Sequence, residues 1–305
     1  MVATSDGAHA DIVARDERTT PREGADATVH AVAESARAAA RDAGLPLHEI
    51  VAIGCASPGP LDHRSGIVHY TPNLPGFVDF PLASRLADAL DGATVFLDRD
   101  TCVAAIAEGK AGAAHGVRDY VYVTVSTGLG GAIVSGGRML RGAANTAGEI
   151  GHWPVAFQLD ATRAASDGIP RCGCGSFGCV ESFAGGRNMA ERYGVADAAE
   201  VFAAASRDDP RAKAIVELAE RALASLAVGL VNALSPSVIV VGGSIAEKQP
   251  RRVLDPMRLA IAQRAFRAPA AAVRVEPAAL GGDVGMVGAV LAARERVSGK
   301  GEWFL

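Results

Sequence analysis

The chain is short of the signals that mark secreted and membrane proteins. It has five cysteines in 305 residues, and its first residues lack the basic start and apolar stretch of a secretory signal. These features argue against a disulfide framework, and Cys55 and Cys102 have the apolar surroundings of small buried side chains. The longest apolar run, Ala222 to Leu234, is interrupted and too short to span a bilayer. We therefore expect a cytoplasmic protein with no membrane partner.

Runs of basic residues are lacking as well. The formal net charge is −4, and nucleic-acid binding needs clustered Lys and Arg side chains, so we expect no nucleic-acid partner. Hydrophobic residues make up 49% of the chain, enough for one large core or two moderate lobes. Glycine, in contrast, is frequent, with 35 residues. Its clusters suggest loops whose backbone lines a ligand.

Strands alternate with helices along the sequence, which predicts the α/β class. We predict strands at residues 50–55, 94–97, 120–125, 132–134, 238–241 and 273–276. Helices are predicted at 28–43, 82–90, 101–114, 211–234, 256–266 and 285–297. Each half of the chain has a strand that runs into a glycine-rich turn and, later, a strand–helix unit. This pattern suggests two similar lobes with a cleft between them.

Three cysteines and one histidine form the most informative motif. Cys172, Cys174 and Cys179 fall in one short glycine-rich turn, and His152 lies upstream in Gly-Glu-Ile-Gly-His. Three thiolates and one imidazole make a complete tetrahedral zinc set. Reduced thiols without a metal are the alternative, but such close spacing near a histidine favours zinc.

Two carboxylates accompany this motif. Glu149 and His152 are three residues apart, so on a helical turn they share one face. Glu181 follows the last thiol by two positions. We therefore expect the zinc segment to position these three side chains around a polar ligand, although His152 alone could be a hydrogen-bonded core histidine.

A glycine-rich segment, Ser126-Thr127-Gly128-Leu129-Gly130-Gly131, follows the predicted strand at 120–125. The strand that returns after it predicts a hairpin, whose N–H and O–H groups at the tip could bind phosphate. An ordinary glycine turn is the alternative, and the segment is neither a Walker loop nor a Rossmann fingerprint. Gly242-Gly243-Ser244, after a buried strand, either lets a nucleotide approach the backbone or simply starts a helix.

Asp100 lies just past a predicted strand, where α/β folds usually bind their ligands. A carboxylate there could be a general base for a hydroxyl nucleophile. It could instead be the N-cap of the following helix, and Asp98 competes for either role.

Together these residues resemble the ROK family of sugar kinases and repressors over nearly the whole chain. The motifs in the family's order are Ser57-Pro-Gly-Pro60, Asn73-Leu-Pro-Gly-Phe77, residues 126–131, Gly148-Glu-Ile-Gly-His152 and the segment from Cys172 to Glu181. The resemblance implies a two-lobed actin-like ATPase (ribonuclease H-like) fold with an inter-lobe cleft. The N-terminal lobe would comprise residues 1–117 and 286–305, and the C-terminal lobe residues 118–285 with the zinc loop. It also implies a homodimer.

The resemblance further implies ATP-dependent phosphorylation of a hexose such as glucose, or of an N-acetylhexosamine, with Mg²⁺ and a structural Zn²⁺. Asp100 would be the general base. The sugar would be bound by Gly59, Asn73, Arg99, Glu149, His152 and Glu181. The nucleotide would be bound by Ser126, Thr127, Gly128, Gly130, Gly242, Gly243 and Ser244. Zinc would be bound by His152, Cys172, Cys174 and Cys179, with the other ring nitrogen of His152 facing the sugar.

Two features depart from the family pattern. Family members open with an Asp-x-Gly-Gly-Thr turn that contacts the ATP phosphates, and this sequence has no such motif. Either the start codon is assigned too late or half of the phosphate clamp has been lost. The family's sugar kinases also place Asn before the catalytic Asp, where this chain has Arg99.

Arginine only donates hydrogen bonds and stays charged, so Arg99 would favour the ionised form of Asp100, weaken it as a base and alter sugar recognition. Alternatively, Arg99 points into solvent. Two functions therefore remain open, a glucokinase-like hexose kinase and a non-catalytic sugar-binding or regulatory protein.

Overall fold

The protein is represented by a computed structural model that describes residues 1–6, 9–71, 74–156 and 168–299. Its chain forms two compact units that alternate along the sequence. The first unit comprises residues 1–116, 141–147 and the chain from 283 onward, and the second comprises residues 117–140 and 148–282. Strands and helices alternate in both units, so the predicted α/β class is confirmed.

The strands of the described residues, in chain order, are β1 Val2–Asp6, β2 His9–Ala14, β3 Ile53–Ser57, β4 Leu61–Asp62, β5 Ile67–Tyr70, β6 Val78–Phe80, β7 Val95–Arg99, β8 Tyr120–Val125, β9 Leu129–Ser135, β10 Arg138–Met139, β11 Val238–Gly242 and β12 Arg274–Pro277. The α-helices are α1 Ala25–Asp42, α2 Leu82–Ala89, α3 Asp100–Ala111, α4 Val180–Ala184, α5 Gly186–Tyr193, α6 Ala198–Ser206, α7 Pro210–Leu234, α8 Ser244–Lys248, α9 Pro250–Arg264, α10 Arg267–Ala272 and α11 Val284–Ser298. Single 3₁₀ turns occur at Leu47–Glu49, Ile150–His152 and Gly281–Asp283.

The first unit is built from small sheets and long helices. Strands β3 and β7 are parallel, β1 pairs with β2 in an antiparallel hairpin, and β4, β5 and β6 form an antiparallel sheet. Helix α11 packs against both α3 and β3. A Cβ atom on Gly54 would lie 1.9 Å from the Ala289 carbonyl oxygen, and one on Gly288 would lie 1.9 Å from that of Val103. Only glycine therefore permits these contacts.

The second unit contains a five-stranded mixed sheet in the order β10-β9-β8-β11-β12. Strand β11 is buried along its whole length, which is typical of a strand with parallel neighbours and both faces covered. Helix α7 packs against α9 and contributes a long apolar stripe to the core. The start of α7 is stabilised by an N-cap, because the Asp209 side chain accepts a hydrogen bond from the Ala212 amide. Pro210 takes the first helical position, where proline is favoured.

Several predicted boundaries need correction. Helix α9 was predicted to begin at Pro256 but begins at Pro250, where the missing N–H of proline costs nothing. Pro256 lies inside the helix. Strand β3 was predicted at residues 50–55, but its pairing with β7 sets it at Ile53–Ser57.

Among the residues that the structure describes, no helix combines the length and the apolar character that crossing a membrane requires.

Candidate functional site

The predicted zinc ligands lie together in the second unit. One ligand atom from each of His152, Cys172, Cys174 and Cys179 lies within 4.8 Å of all the others. The Sγ atoms of Cys174 and Cys179 are 3.8 Å apart, and Cys172 Sγ is 3.4 Å from His152 Nδ1. Zinc–sulfur and zinc–nitrogen bonds of about 2.3 and 2.0 Å place tetrahedral ligands about 3.5–3.8 Å apart. The donor set and its spacing therefore fit a zinc ion.

The backbone around the thiols explains this proximity. The Cys172 amide donates to the Ser176 carbonyl and the Gly175 amide to the Cys172 carbonyl, at 2.8 and 3.0 Å. Gly175 has φ +92°, which favours glycine. A bridge between Pro154 and Cys179 brings the chain that follows His152 alongside the last thiol.

Burial also affects the chemistry of the thiols. It raises the pKa of Cys179 to about 11 and raises the pKa of Cys172 as well. Without a cation both groups are therefore neutral thiols near pH 7. A bound metal ion favours the thiolate form, because ligation requires deprotonation.

The turn that contains Glu149 and His152 packs directly on the glycine-rich hairpin. His152 is the last residue of this 3₁₀ turn, and Glu149 is its N-cap. A Cβ on Gly151 would lie 1.9 Å from the Leu129 carbonyl oxygen, and one on Gly131 would lie 2.4 Å from Ile150 Cδ1. Both glycines are therefore needed for this close approach. Since Nδ1 of His152 faces the thiols, Nε2 lies on the other side of the ring.

Glu181 links the thiol cluster to the hairpin. Its Oε2 atom accepts a hydrogen bond of 3.0 Å from the Leu129 amide, and its Oε1 atom is 3.9 Å from Cys172 Sγ. A Cβ on Gly128 would lie 2.7 Å from Oε2. The glycine at the hairpin tip thus leaves room for this carboxylate.

The hairpin formed by β8 and β9 has a half-buried Ser126 and an exposed Thr127 at its tip. Their carbonyl oxygens accept hydrogen bonds of 2.8 and 2.9 Å from the amides of Gly186 and Arg187, which begin α5. The hydroxyls of Ser126 and Ser244 are 2.9 Å apart. Three of the predicted nucleotide-binding residues therefore lie together, and Gly130 lies on β9 opposite Thr124.

These three residues line a cavity of about 440 Å³ in the second unit. Its other walls are apolar at Ile245 and Phe202, with basic groups at Arg187 and Lys248 and carboxylates at Glu191 and Asp197. Arg187 and Lys248 were not named from the sequence, although the pair Gly185-Gly186 at the start of α5 could have indicated a ligand loop there. A larger hollow of about 660 Å³ in the first unit contains none of the predicted site residues.

Gly242 ends β11, and Gly243 connects it to α8. A Cβ on Gly243 would lie 2.6 Å from both Thr124 Oγ1 and the Val125 carbonyl oxygen, and its φ is +93°. One on Gly242 would lie 2.8 Å from the Tyr122 hydroxyl. These glycines bring the start of α8 close to the end of β8, so both predicted nucleotide loops leave the same edge of the sheet.

In the first unit, the structure distinguishes Asp98 from Asp100. Both Asp98 oxygens accept hydrogen bonds of 2.6 Å from the Arg141 guanidinium, and this pair is buried. Asp98 is therefore committed to a structural ion pair. Asp100 is exposed and is the first residue of α3, whose N-cap is Arg99. The alternative that Asp100 is the N-cap was therefore wrong.

Arg99 does not point into solvent, contrary to the alternative considered for it, because it is only 2% exposed. Its Nη2 atom donates to the Ala147 carbonyl and lies 3.4 Å from Cys102 Sγ. A Cβ on Gly59 would lie 3.1 Å from Arg99 Cδ, so these two predicted sugar-binding residues are in contact. Asn73, the remaining predicted sugar ligand, lies outside the described residues.

Comparisons with known proteins identify the family of this chain. Residues 2–296 match the sequence model of the ROK family. An N-acetylmannosamine kinase of Escherichia coli is 34% identical over 246 residues, which cover 79% of each chain. The crystal structure of a ROK hexokinase from Thermus thermophilus superposes with a TM-score of 0.77 at 36% identity, covering 96% of this chain and 94% of the other. A ROK family glucokinase from Streptomyces griseus, in complex with glucose and AMPPNP, gives a TM-score of 0.76 at 26% identity and covers 94% of this chain and 93% of the other.

Proposed function

Since this chain belongs to the ROK family, we propose that it is a sugar kinase that transfers the γ-phosphoryl group of ATP to a hydroxyl of a hexose or N-acetylhexosamine. The family resemblance seen in the sequence and the actin-like ATPase fold class are both confirmed. The proposal rests chiefly on one observation. The thiol cluster, the turn with Glu149 and His152, and the glycine-rich hairpin pack into one body, which Glu181 ties together.

The proposed sugar ligands of the second unit are Glu149, His152 and Glu181. With zinc bound to Nδ1 of His152, Nε2 would carry the ring proton and donate to a sugar hydroxyl. Glu149 is exposed and accepts hydroxyl hydrogen bonds. Glu181 uses Oε2 for the hairpin and keeps acceptor capacity on Oε1 for the sugar.

The nucleotide occupies the cavity lined by Ser126, Thr127 and Ser244. Its apolar walls suit a purine ring, and its volume of about 440 Å³ lies in the usual range for small-molecule sites. Arg187 and Lys248 supply positive charge for phosphate oxygens. A purely inorganic phosphoryl donor has no purine ring to pack against these apolar walls. The lining of the cavity therefore favours ATP as the donor. Mg²⁺ would neutralise charge on the transferred phosphoryl group.

Asp100 is the proposed general base. It takes the proton of the attacking hydroxyl while the sugar oxygen bonds to the γ-phosphorus and the bond from that phosphorus to the β–γ bridging oxygen breaks, releasing ADP. Its exposure and its position at the first turn of a buried helix suit that role. Asp98 cannot replace it, because both of its oxygens bind Arg141.

Zinc is proposed as a structural ion held by His152, Cys172, Cys174 and Cys179. Four protein ligands complete its tetrahedron and leave no open position for catalysis. Its contribution is to fix the ring of His152 and the segment that leads to Glu181. The ion therefore shapes the sugar site without taking part in phosphoryl transfer.

A coupled assay with ATP, Mg²⁺ and a panel of glucose, mannose, N-acetylmannosamine and N-acetylglucosamine tests the proposal. We expect turnover with at least one of these sugars. Replacing the base in Asp100→Asn is expected to lower kcat by about 10²–10⁴-fold, while calorimetry shows that the sugar still binds. A surface carboxylate provides the control, since Asp26→Asn removes only an exposed pair with Arg85.

Two results would count against catalysis by this site. Sugar binding without any turnover would support a non-catalytic, regulatory member of the family. Turnover that Asp100→Asn leaves unchanged would show that another group is the base.

A further inference from the structure

The segment Arg141–Ala147, here called the strap, belongs to the first unit although its sequence neighbours on both sides belong to the second. It follows β10 and leads through Gly148 to Glu149. The strap closes on itself, because the Ala147 amide donates a hydrogen bond of 3.0 Å to the Arg141 carbonyl. Its two ends are therefore neighbours in space.

Three side-chain contacts hold the strap to the first unit. At its beginning, Arg141 forms the buried bidentate pair with Asp98 at 2.6 Å. In its middle, Asn145 Nδ2 donates a hydrogen bond of 2.7 Å to Asp62 Oδ1 on β4. At its end, Arg99 Nη2 donates to the Ala147 carbonyl. Two of the three anchors are consecutive residues of β7, immediately before Asp100.

The structure points to Arg99 as a positioning residue for sugar binding: its guanidinium holds the carbonyl of Ala147 and so sets where the chain begins the turn that presents Glu149. This inference rests on the proposed function, since it takes Glu149 as a sugar ligand. The carbonyl carbon of Ala147 is bonded directly to Gly148, and only Gly148 separates it from Glu149. Gly148 has φ +93°, so the chain turns there in a conformation that few other residues adopt.

The chemistry of arginine suits this role. A carbonyl oxygen needs only donors, and the guanidinium offers several in a rigid plane. The side chain is 2% exposed and its aliphatic part packs against Gly59, so its direction is fixed by packing as well as by hydrogen bonds. An asparagine at this position would be too short to donate a hydrogen bond to the Ala147 carbonyl in the same way.

Arg99→Met and Arg99→Lys test the inference, because methionine removes every donor and lysine keeps the charge and one donor group. In Arg99→Met we expect the KM and the calorimetric Kd for the sugar to rise between about tenfold and a hundredfold, with kcat changed by less than about threefold. Arg99→Lys should recover a large part of the affinity. Hydrogen exchange of the amides at residues 145–149 should accelerate by about tenfold in the methionine variant, because the strap loses one anchor.

Arg37→Met is the matched control. Arg37 Nη2 also donates to a backbone carbonyl of the first unit, that of Ala89 at 2.7 Å, and its guanidinium is half-buried and pairs with the exposed Asp91. We expect the sugar KM and the exchange of residues 145–149 to be unchanged in this variant.

Unchanged sugar affinity and unchanged exchange in Arg99→Met would overturn the inference. A fall in kcat with an unchanged KM would also overturn it, since that result would give Arg99 a role in the chemical step. If the methionine variant does not fold, Arg99→Gln is measured in the same way, because glutamine is uncharged and too short to make the same contact with the Ala147 carbonyl. A wild-type protein that phosphorylates no sugar would contradict the proposed function instead, and faster exchange at residues 145–149 would still establish the anchor.

Discussion

The second unit holds its proposed ligand groups by close backbone approach, whereas the first unit holds the end of β7 by buried charge. Around His152 and Glu181, glycines such as Gly151 and Gly131 lie so near their neighbours that a single added carbon would collide. Around Asp98 and Arg99, the contacts are instead ion pairs and hydrogen bonds between long side chains with almost no exposure. The stability of the second unit should therefore be sensitive to added atoms. That of the first unit should be sensitive to the loss of a charged or hydrogen-bonding partner.

Removal of the proposed zinc ion should have the largest effect, because the ion would join four side chains from two separate segments of the second unit. We expect about one zinc ion per chain in protein purified without added metal and almost none in Cys172→Ser. Sugar binding should be lost with the ion, since His152 and the ligand turn depend on it. Elemental analysis and calorimetry measure the two quantities.

Cys55→Ala is the control for that experiment. It removes a thiol from β3 of the first unit, whose pKa burial raises to about 11, and it should leave the zinc content unchanged. Full sugar affinity in zinc-free protein would contradict the proposed role of the ion.

The next effect concerns the buried charges of the first unit. In Arg141→Met the Asp98 carboxylate loses its bidentate partner, and the nearest remaining guanidinium nitrogen, Arg296 Nη2, is 3.8 Å away. Breaking a buried pair of this kind costs about 3–5 kcal/mol in free energy of unfolding. Denaturant titration of the variant measures this loss.

The chain offers a closely matched control for the effect of burial. Arg15 and Asp283 form a bidentate pair in the same unit with the same two distances of 2.6 Å, but both side chains are exposed. We expect Arg15→Met to leave the denaturation midpoint unchanged, because solvent screens such pairs. Equal losses of unfolding free energy in Arg141→Met and Arg15→Met would show that burial does not determine how much each ion pair contributes to stability.

The smallest effect should come from adding one carbon to the second unit. Gly151→Ala places a methyl group 1.9 Å from the Leu129 carbonyl oxygen, so the turn must shift away from the hairpin. Overpacking of this kind costs about 1–3 kcal/mol, which thermal unfolding detects. Gly173→Ala in the thiol loop adds the same methyl group with no atom within 4 Å, and we expect it to leave the unfolding temperature unchanged.

The same contrast explains how much the sequence could predict. The thiols, the histidine turn and the glycine hairpin are short motifs, so their residues could be named and their chemistry inferred before any fold was known. Strand β8 was predicted with its observed bounds, because alternating aromatic and β-branched residues mark it clearly. Family membership followed from the order of these motifs and is confirmed.

The charge network of the first unit could not be predicted in the same way. Arg141 and Asp98 are 43 residues apart, and Asn145 and Asp62 are 83 apart. No local pattern distinguishes such partners from ordinary surface charges. Asp98 could be excluded as the general base only after its pair with Arg141 of the strap was seen. Likewise, the contact of Arg99 with Ala147 of the strap was needed to show that Arg99 does not face solvent. The assignments of Asp100 and the sugar ligands remain predictions for the experiments above.

Helix α11 has a consequence for the synthesis of this protein. It packs on α3 and β3 through Gly288 and Gly54, yet it is translated more than 170 residues after α3 ends. At synthesis rates of about 5–20 residues per second, α3 must wait about 10–30 s for this partner. Its residues from Thr101 to Glu108, all buried in the finished protein, meanwhile lack this packing partner. We expect the nascent first unit to need chaperone protection during this interval, even though the second unit can fold while the chain is still growing.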